Sequence, residues 1–344
     1  MYGKFAFKLI LTMVIAAGVL FPQNYQITRF TNDDGLYSNL IKSIFVDDSG
    51  FLWVSTDGGV LRYNGINFRG VQYQFCKQVT SDKQGNIIFA YDMGIIKLEV
   101  ENHNIKESRL VFGNNTELPN SVHYPKSVFV DSKKRIWIGE YNHLAKWENG
   151  KFKKYKTFLS NSSWERSFFC FEEDGVIYAL SHNGGFCYYN EKEDRMVQIP
   201  SPDLYNKMAI SAVCKVDSMY YLGTVDGMFT MKFDKVTKVM KVNRLFTGYN
   251  ISQIEYDGAN RLYMSTWNAG LFTVNLSDIS IKSIGLEKSV INNLFYDRFR
   301  QSLWVGTNNG LFLLNLQVFQ SFVPGAYFPS VTNPYTSFMH RMLP

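Results

Sequence analysis

Short apolar runs split by polar turns fill most of this chain, and they recur in a fixed order. Residues 44–63 read IFVDDSGFLWVSTDGGVLRY, and residues 294–315 read LFYDRFRQSLWVGTNNGLFLLN. Related segments occupy 128–147, 170–189, 213–231 and 254–274, with a degenerate copy at 79–98. The bulky residue at the centre of each copy is Trp53, Ile88, Trp137, Tyr178, Tyr221, Tyr263 or Trp304, at intervals of 35, 49, 41, 43, 42 and 41 residues. Every copy begins with an apolar run that ends in an acidic turn, such as Asp47-Asp48-Ser49-Gly50. A second run carries the bulky residue, a tight turn closes on a glycine such as Gly59 or Gly310, and third and fourth runs follow. Glycine supplies the positive φ that such hairpin turns need. Four strands per unit, no helical period and a repeat of about 42 residues predict an all-β chain, a seven-bladed β-propeller of four-stranded blades.

The repeats place this propeller over residues 25–323. Its runs are apolar on both faces, as sheets packed between two neighbours should be. Tyr25–Phe30 precedes the first copy and is expected to complete the seventh blade beside Leu311–Asn315, which removes the open edge. Val318–Val323 is the competing closing strand.

The two ends read differently. Met1–Lys8 is short and basic, and Leu9–Phe21 is apolar apart from Thr12. That run is shorter than the roughly 20 residues a membrane-spanning helix needs. It fits a signal peptide over 1–22, with Ala16-Ala17-Gly18 as the cleavage candidate. The mature chain is therefore expected to be exported, periplasmic or extracellular, with no membrane span. Residues 324–344 hold Pro329, Pro334 and Pro344 and read as a linker-like or frayed tail. The four cysteines, Cys76, Cys170, Cys187 and Cys214, sit in apolar runs without metal-type spacing. They read as buried small hydrophobes, with Cys170–Cys214 and Cys170–Cys187 as the conceivable bridges.

Composition narrows the function classes. With 46% hydrophobic and 16% aromatic residues, the chain is too apolar for disorder. Its net charge of +6 includes Lys4 and Lys8, and the remaining excess is scattered, so no nucleic-acid partner is expected.

The repeats resemble those of the two-component regulator propeller family. The first copy carries Asp34-Gly35-Leu36, Asn39-Leu40-Ile41, Asp48-Ser49-Gly50, Leu52-Trp53-Val54 and Thr56. The seventh carries Asn293, Leu303-Trp304-Val305-Gly306-Thr307 and Gly310-Leu311. The resemblance covers about residues 30–315, is loosest in copies two to five, and has Ile88 where a tryptophan belongs. It implies the periplasmic sensor of a Bacteroidetes-type hybrid histidine kinase receptor. Such receptors go on to a three-tyrosine domain, a membrane span and a kinase, and no such parts follow residue 315 in this sequence, so no kinase activity is expected of it.

Candidate chemistry lies at one end of the ring. Antiparallel neighbours put the lead-in to each blade on the same face as the turn between its second and third strands. That face gathers the candidate ligand-binding residues Asn39, Tyr124, Trp164, Asn250, Trp267, Asn292 and Asn293. Amides beside aromatic faces suit an oligosaccharide or another small polar ligand, although Asn, Asp, Ser and Gly are also ordinary turn formers. The recurring central aromatics read as core. His103, His123, His143, His182 and His340 lack metal-ligand spacing, and no nucleophile or phosphate motif is present. The expectation is a non-catalytic, ligand-sensing propeller without cofactor or metal, its other partners being downstream receptor domains. An envelope scaffold that binds protein partners is the alternative, and an exported propeller lyase or glycosidase a more distant one.

Overall fold

The computed structural model describes residues 25–72, 75–82, 84–101, 104–112, 121–122, 124–140, 143–155, 168–182, 185–206 and 208–316. The expected signal peptide, the tail, Val318–Val323 and the candidate Trp164 lie outside the described residues. Ile27–Asn315 forms one compact unit.

Seven four-stranded antiparallel sheets make up this unit, a seven-bladed all-β propeller. The innermost strands, in blade order, are Ile41–Val46, Cys76–Ser81, Ser127–Val130, Phe168–Glu173, Ile210–Val216, Ile251–Tyr256 and Ile291–Asp297. Six blades take their strands consecutively from the chain. In the seventh, Tyr25–Phe30 is the outermost strand and pairs with Gly310–Leu316. The first strand of the described residues thus closes the ring, as its position ahead of the first copy predicts. Arg29 fastens the closure: Nε and Nη2 donate to the Asn309 carbonyl at 2.9 and 2.6 Å, and Nη2 also to Asn309 Oδ1 at 2.6 Å.

The second strand of each blade is the most enclosed. Every residue of Leu52–Thr56, Ile87–Tyr91, Ile136–Gly139 and Ser302–Thr307 is buried. The core lies between blades, and each boundary has its own cluster. Trp53 packs with Val79, Ile87 and Phe89 of the next blade, and Trp137 with Ile177, Ala179 and Tyr189. Trp53, Ile88, Trp137, Tyr178, Tyr263 and Trp304 are buried as expected of core residues, while Tyr221 is only half-buried.

The repeated polar residues tie the hairpins. Asp47 Oδ1 accepts from the amides of Ser49 and Phe51 at 2.9 and 3.0 Å, and its Oδ2 accepts from Trp53 Nε1 at 2.7 Å. Asp131 does the same for Lys133, Arg135 and Trp137 Nε1. Asp82, Asp257 and Asp297 hold equivalent turns. At the other end of the second strand, the hydroxyls of Thr56, Thr224, Thr266 and Thr307 donate to the carbonyls of Gly59, Gly227, Gly270 and Gly310 at 2.8–3.1 Å. The acidic turns and the repeat threonines are therefore local side chain–backbone turns.

All four cysteines are free thiols. Burial raises the thiols of Cys76 and Cys170, and Cys214 is pushed up to about 12. They act as small apolar side chains, and neither conceivable bridge is formed.

Candidate functional site

In blades 1, 6 and 7, backbone hydrogen bonds bring the lead-in against the turn between the second and third strands. Asp57 N donates to Leu40 O at 3.3 Å, Trp267 N to Asn250 O at 3.0 Å, and Asn308 N to Val290 O at 3.1 Å. In blade 4, the His182 carbonyl accepts from Ile210 N of the next blade at 2.8 Å. One face of the ring therefore carries Asp57, Asp92, His182, Val225, Trp267 and Asn308 at equivalent turn positions.

Five innermost strands shift register at their second residue: Lys42, Lys77, Ser211, Ser252 and Asn292. Such a bulge re-aims a side chain toward the strand end. In blades 5 to 7 the re-aimed groups are short and serve the ring. Ser211 Oγ donates to Gly223 O at 3.1 Å and to Ile251 O of the next blade at 2.5 Å. Ser252 Oγ lies 2.8 Å from Ser265 Oγ. Asn292 Nδ2 donates to Ile41 O of blade 1 at 2.9 Å and to Asn308 Oδ1 at 2.7 Å. The next position in the strand also stitches blades: Asn293 Oδ1 accepts from Ile44 N at 3.0 Å, Gln78 Oε1 from Val128 N at 2.8 Å, and Ser43 Oγ from Val79 N at 3.3 Å.

The candidate residues consequently separate. Asn292 and Asn293 hold blade 7 to blade 1, and Asn39 Oδ1 accepts from Asn32 N at 2.9 Å at the start of the chain. Turn and ring chemistry accounts for these three. The other three described candidates take no part in this stitching. Asn250 Oδ1 is buried and accepts no hydrogen bond. Trp267, whose backbone amide donates to the Asn250 carbonyl, has a side chain that is 46% exposed. Tyr124 is 43% exposed and adopts a left-handed backbone with φ of 47°. Only Tyr124 belongs to blades 1 to 3; Asn250 and Trp267 lie in blade 6.

Sequence reasoning missed two residues, Lys42 and Lys77. Lys42 Nζ lies 3.4 Å from Asp57 Oδ1 and 5.3 Å from the Phe75 ring centroid. Lys77 Nζ lies 2.7 Å from Asp92 Oδ1, 5.7 Å from Phe75 and 5.4 Å from Tyr124. Their signal was in the aligned copies, where IKS and CKQ stand against ISA, ISQ and INN.

One step further along the innermost strands, Phe45, Phe129, Phe171 and Phe295 face the same register position as Thr80, Cys214 and Glu255. Glu255 is the one acid at this level. Burial pushes its carboxyl up to about 7, against the Tyr296 amide at 3.4 Å and the charge of Arg298, which both favour ionisation. Among the described residues no group of three or more His, Cys, Asp or Glu side chains could hold a metal ion. His182 Nδ1 is engaged 2.6 Å from the Ile210 carbonyl.

No family model matches the chain, and no curated protein does. Solved structures do. The extracellular domain of BT3049 from B. thetaiotaomicron, described as a hybrid two-component system, is 20% identical with a TM-score of 0.64. The match covers 85% of this chain and 42% of that one. The extracellular domain of BT4673 from the same organism is 18% identical, again with a TM-score of 0.64, over 85% and 40% of the two chains. The shared feature is the propeller fold. This chain spans about two fifths of the length of those extracellular domains. A virginiamycin B lyase from Staphylococcus aureus is 16% identical with a TM-score of 0.67, over 85% of this chain and 99% of the lyase. BT4673 is described as a one-component system in the 18% identical structure and as a hybrid two-component system, the kind of protein that the repeats resemble, in another. Among the described residues no helix is long and apolar enough to cross a membrane.

Proposed function

We propose that this chain is an exported, non-catalytic propeller that binds a small polar ligand on its lead-in face, as the sensory part of a two-component type receptor. The observation that carries this reading is the pairing of Asn250 and Trp267. A buried carbonyl oxygen without a hydrogen bond costs about 1–3 kcal/mol, and the backbone of Asn250 is hydrogen-bonded at 3.0 Å to that of Trp267, whose aromatic side chain is exposed. A ligand hydroxyl or amide donating to Asn250 Oδ1 while its apolar face covers Trp267 would satisfy both groups. The extracellular two-component domains among the structural neighbours support the sensory setting, and the repeat motifs at both ends of the chain support it independently. Binding would bias the packing of the propeller against whatever domain adjoins it in a receptor.

The test is a thermal-shift screen of the purified chain against saccharides, amino acids and nucleosides. The reading expects at least one compound to raise the melting temperature, with the rise lost in Trp267→Ala and reduced in Asn250→Ala. Turnover of the bound compound, or a shift untouched by both substitutions, would count against it.

A further inference from the structure

One position from each innermost strand rings the axial channel at mid-height. Blades 1, 3, 4 and 7 place Phe45, Phe129, Phe171 and Phe295 there, and all four are half-buried. The second strands and the adjoining blades enclose these rings on their other sides, so the surface left to them faces the axis. Blade 6 puts Glu255 at this level and blade 5 the small Cys214. We propose that this level of the channel is a second binding site, separate from the lead-in face, and that it receives a compact organic ammonium ion.

Blade packing does not call for an acid here, since four blades fill the same place with phenylalanine. Among the described residues the Glu255 carboxyl has one hydrogen bond, the 3.4 Å contact from Tyr296 N, and no salt bridge. The groups that face it are Tyr263 of its own blade, Tyr296 and Arg298 of blade 7, and Cys214 of blade 5. Tyr263 and Tyr296 stack on each other at 5.5 Å, and burial keeps the Cys214 thiol neutral. The Arg298 guanidinium lies over Tyr256, 5.8 Å from the ring centroid, and along Gly258. It favours ionisation of Glu255 from a distance, but burial outweighs it and holds the carboxyl at about 7. A carboxylate in such a place is costly until a cation pairs with it.

Chemistry selects that cation. One carboxyl among phenyl rings offers too few oxygen donors for a calcium or magnesium ion. An anion would meet the carboxylate and the negative ring faces, and an uncharged apolar molecule would leave the carboxyl unpaired. An alkylated ammonium supplies the charge, and its carbon shell lies against the rings, where cation–π attraction is strongest once water is excluded. Neighbouring contacts hold the wall in place beforehand: Phe45 and Phe295 pack edge to face at 6.4 Å, and Phe171 lies 5.1 Å from Tyr220. Cys214, standing where other blades carry a ring, leaves room beside Glu255.

The experiment is titration calorimetry with choline and with its uncharged isostere, in which a tert-butyl group replaces the trimethylammonium. It uses the purified chain, Glu255→Gln and Trp267→Ala. Choline should bind the chain at about pH 8.5, and the isostere at least about tenfold more weakly. Because the cation pairs with the ionised carboxyl, choline affinity should fall at least about tenfold at about pH 5.5. Glu255→Gln should lose choline to the same extent at the higher pH, whereas Trp267→Ala, on the lead-in face, should keep it. The pH comparison uses the unaltered chain, so it holds even if Glu255→Gln does not fold. No binding of choline, equal binding of the isostere, an affinity independent of pH, or full binding by a folded Glu255→Gln would overturn the proposal. Loss of choline in Trp267→Ala alone would place the cation on the lead-in face and overturn it too. A lead-in face that binds nothing would leave the channel site standing, since neither rests on the other.

Discussion

Asp131 shows how one repeat residue serves several bonds at once. It is buried, accepts from two turn amides and from Trp137 Nε1, and pairs with the buried Arg135 at 2.5 Å. Asp131→Ala leaves a buried guanidinium with only Glu191 at 3.0 Å, and should cost about 3–5 kcal/mol in chemical denaturation. Asp47→Ala removes the same turn without a buried cation, and the loss should be about 1–2 kcal/mol. Glu255 gives the pH dependence. Its carboxyl is raised from 4.5 to about 7 by burial, so the folded state holds the proton more tightly than the unfolded chain does. The stability it contributes is fully present below pH 4.5 and is lost as the pH rises through about 7. Wild type should therefore lose stability relative to Glu255→Gln between pH 5 and pH 8, read from urea midpoints. Glu173 runs the other way. Burial alone would raise it, but Lys235, Tyr220 and Lys215 hold it at about 2, so its contribution fades only as the pH falls from 4.5 through that value and does not disturb the window.

At the scale of strands and turns, the repeat motif has a steric logic. A Cβ on Gly306 would stand 2.6 Å from Ile41 Cγ2 and 3.1 Å from Ile41 Cβ, across the boundary where blade 7 meets blade 1. Gly306→Ala should destabilise the chain by about 1–3 kcal/mol, because a packed boundary has no room to yield. Gly223 meets Ile251 in the same way, whereas blade 1 has Ser55 at this place. The strands and their order were legible in the sequence because burial on both sides forces continuous apolar runs, and because turns demand Asp, Thr and Gly at set offsets. The site was legible only in part. Asn292, Asn293 and Asn250 look alike as residues, yet the first two stitch blades and the third holds an unsatisfied oxygen. That distinction depends on bulge geometry and on contacts with the next blade, which no local pattern encodes. Lys42 and Lys77 escaped notice for the same reason, since a lysine in a strand ordinarily points to water.

For the whole molecule, closure by Tyr25–Phe30 makes the two ends of the repeat array interdependent. Removal of residues 1–30 should lower the melting temperature well below that of a chain lacking only residues 1–24, because it exposes the edge of Gly310–Leu316. Equal melting temperatures would contradict closure by this strand. Arg29→Ala should produce a smaller change of the same sign, since it loses the bonds to Asn309 while the strand remains. A closed ring also makes the lead-in face a fixed surface, on which Trp267, Asn250 and the two lysine–aspartate pairs keep their mutual positions. The most direct measurement is a crystal structure of the chain with the compound that gives the largest thermal shift. The account predicts that compound against the Trp267 ring, with a donor on Asn250 Oδ1. Density for the same compound on the face of the acidic first turns, around Asp47 and Asp131, would contradict it.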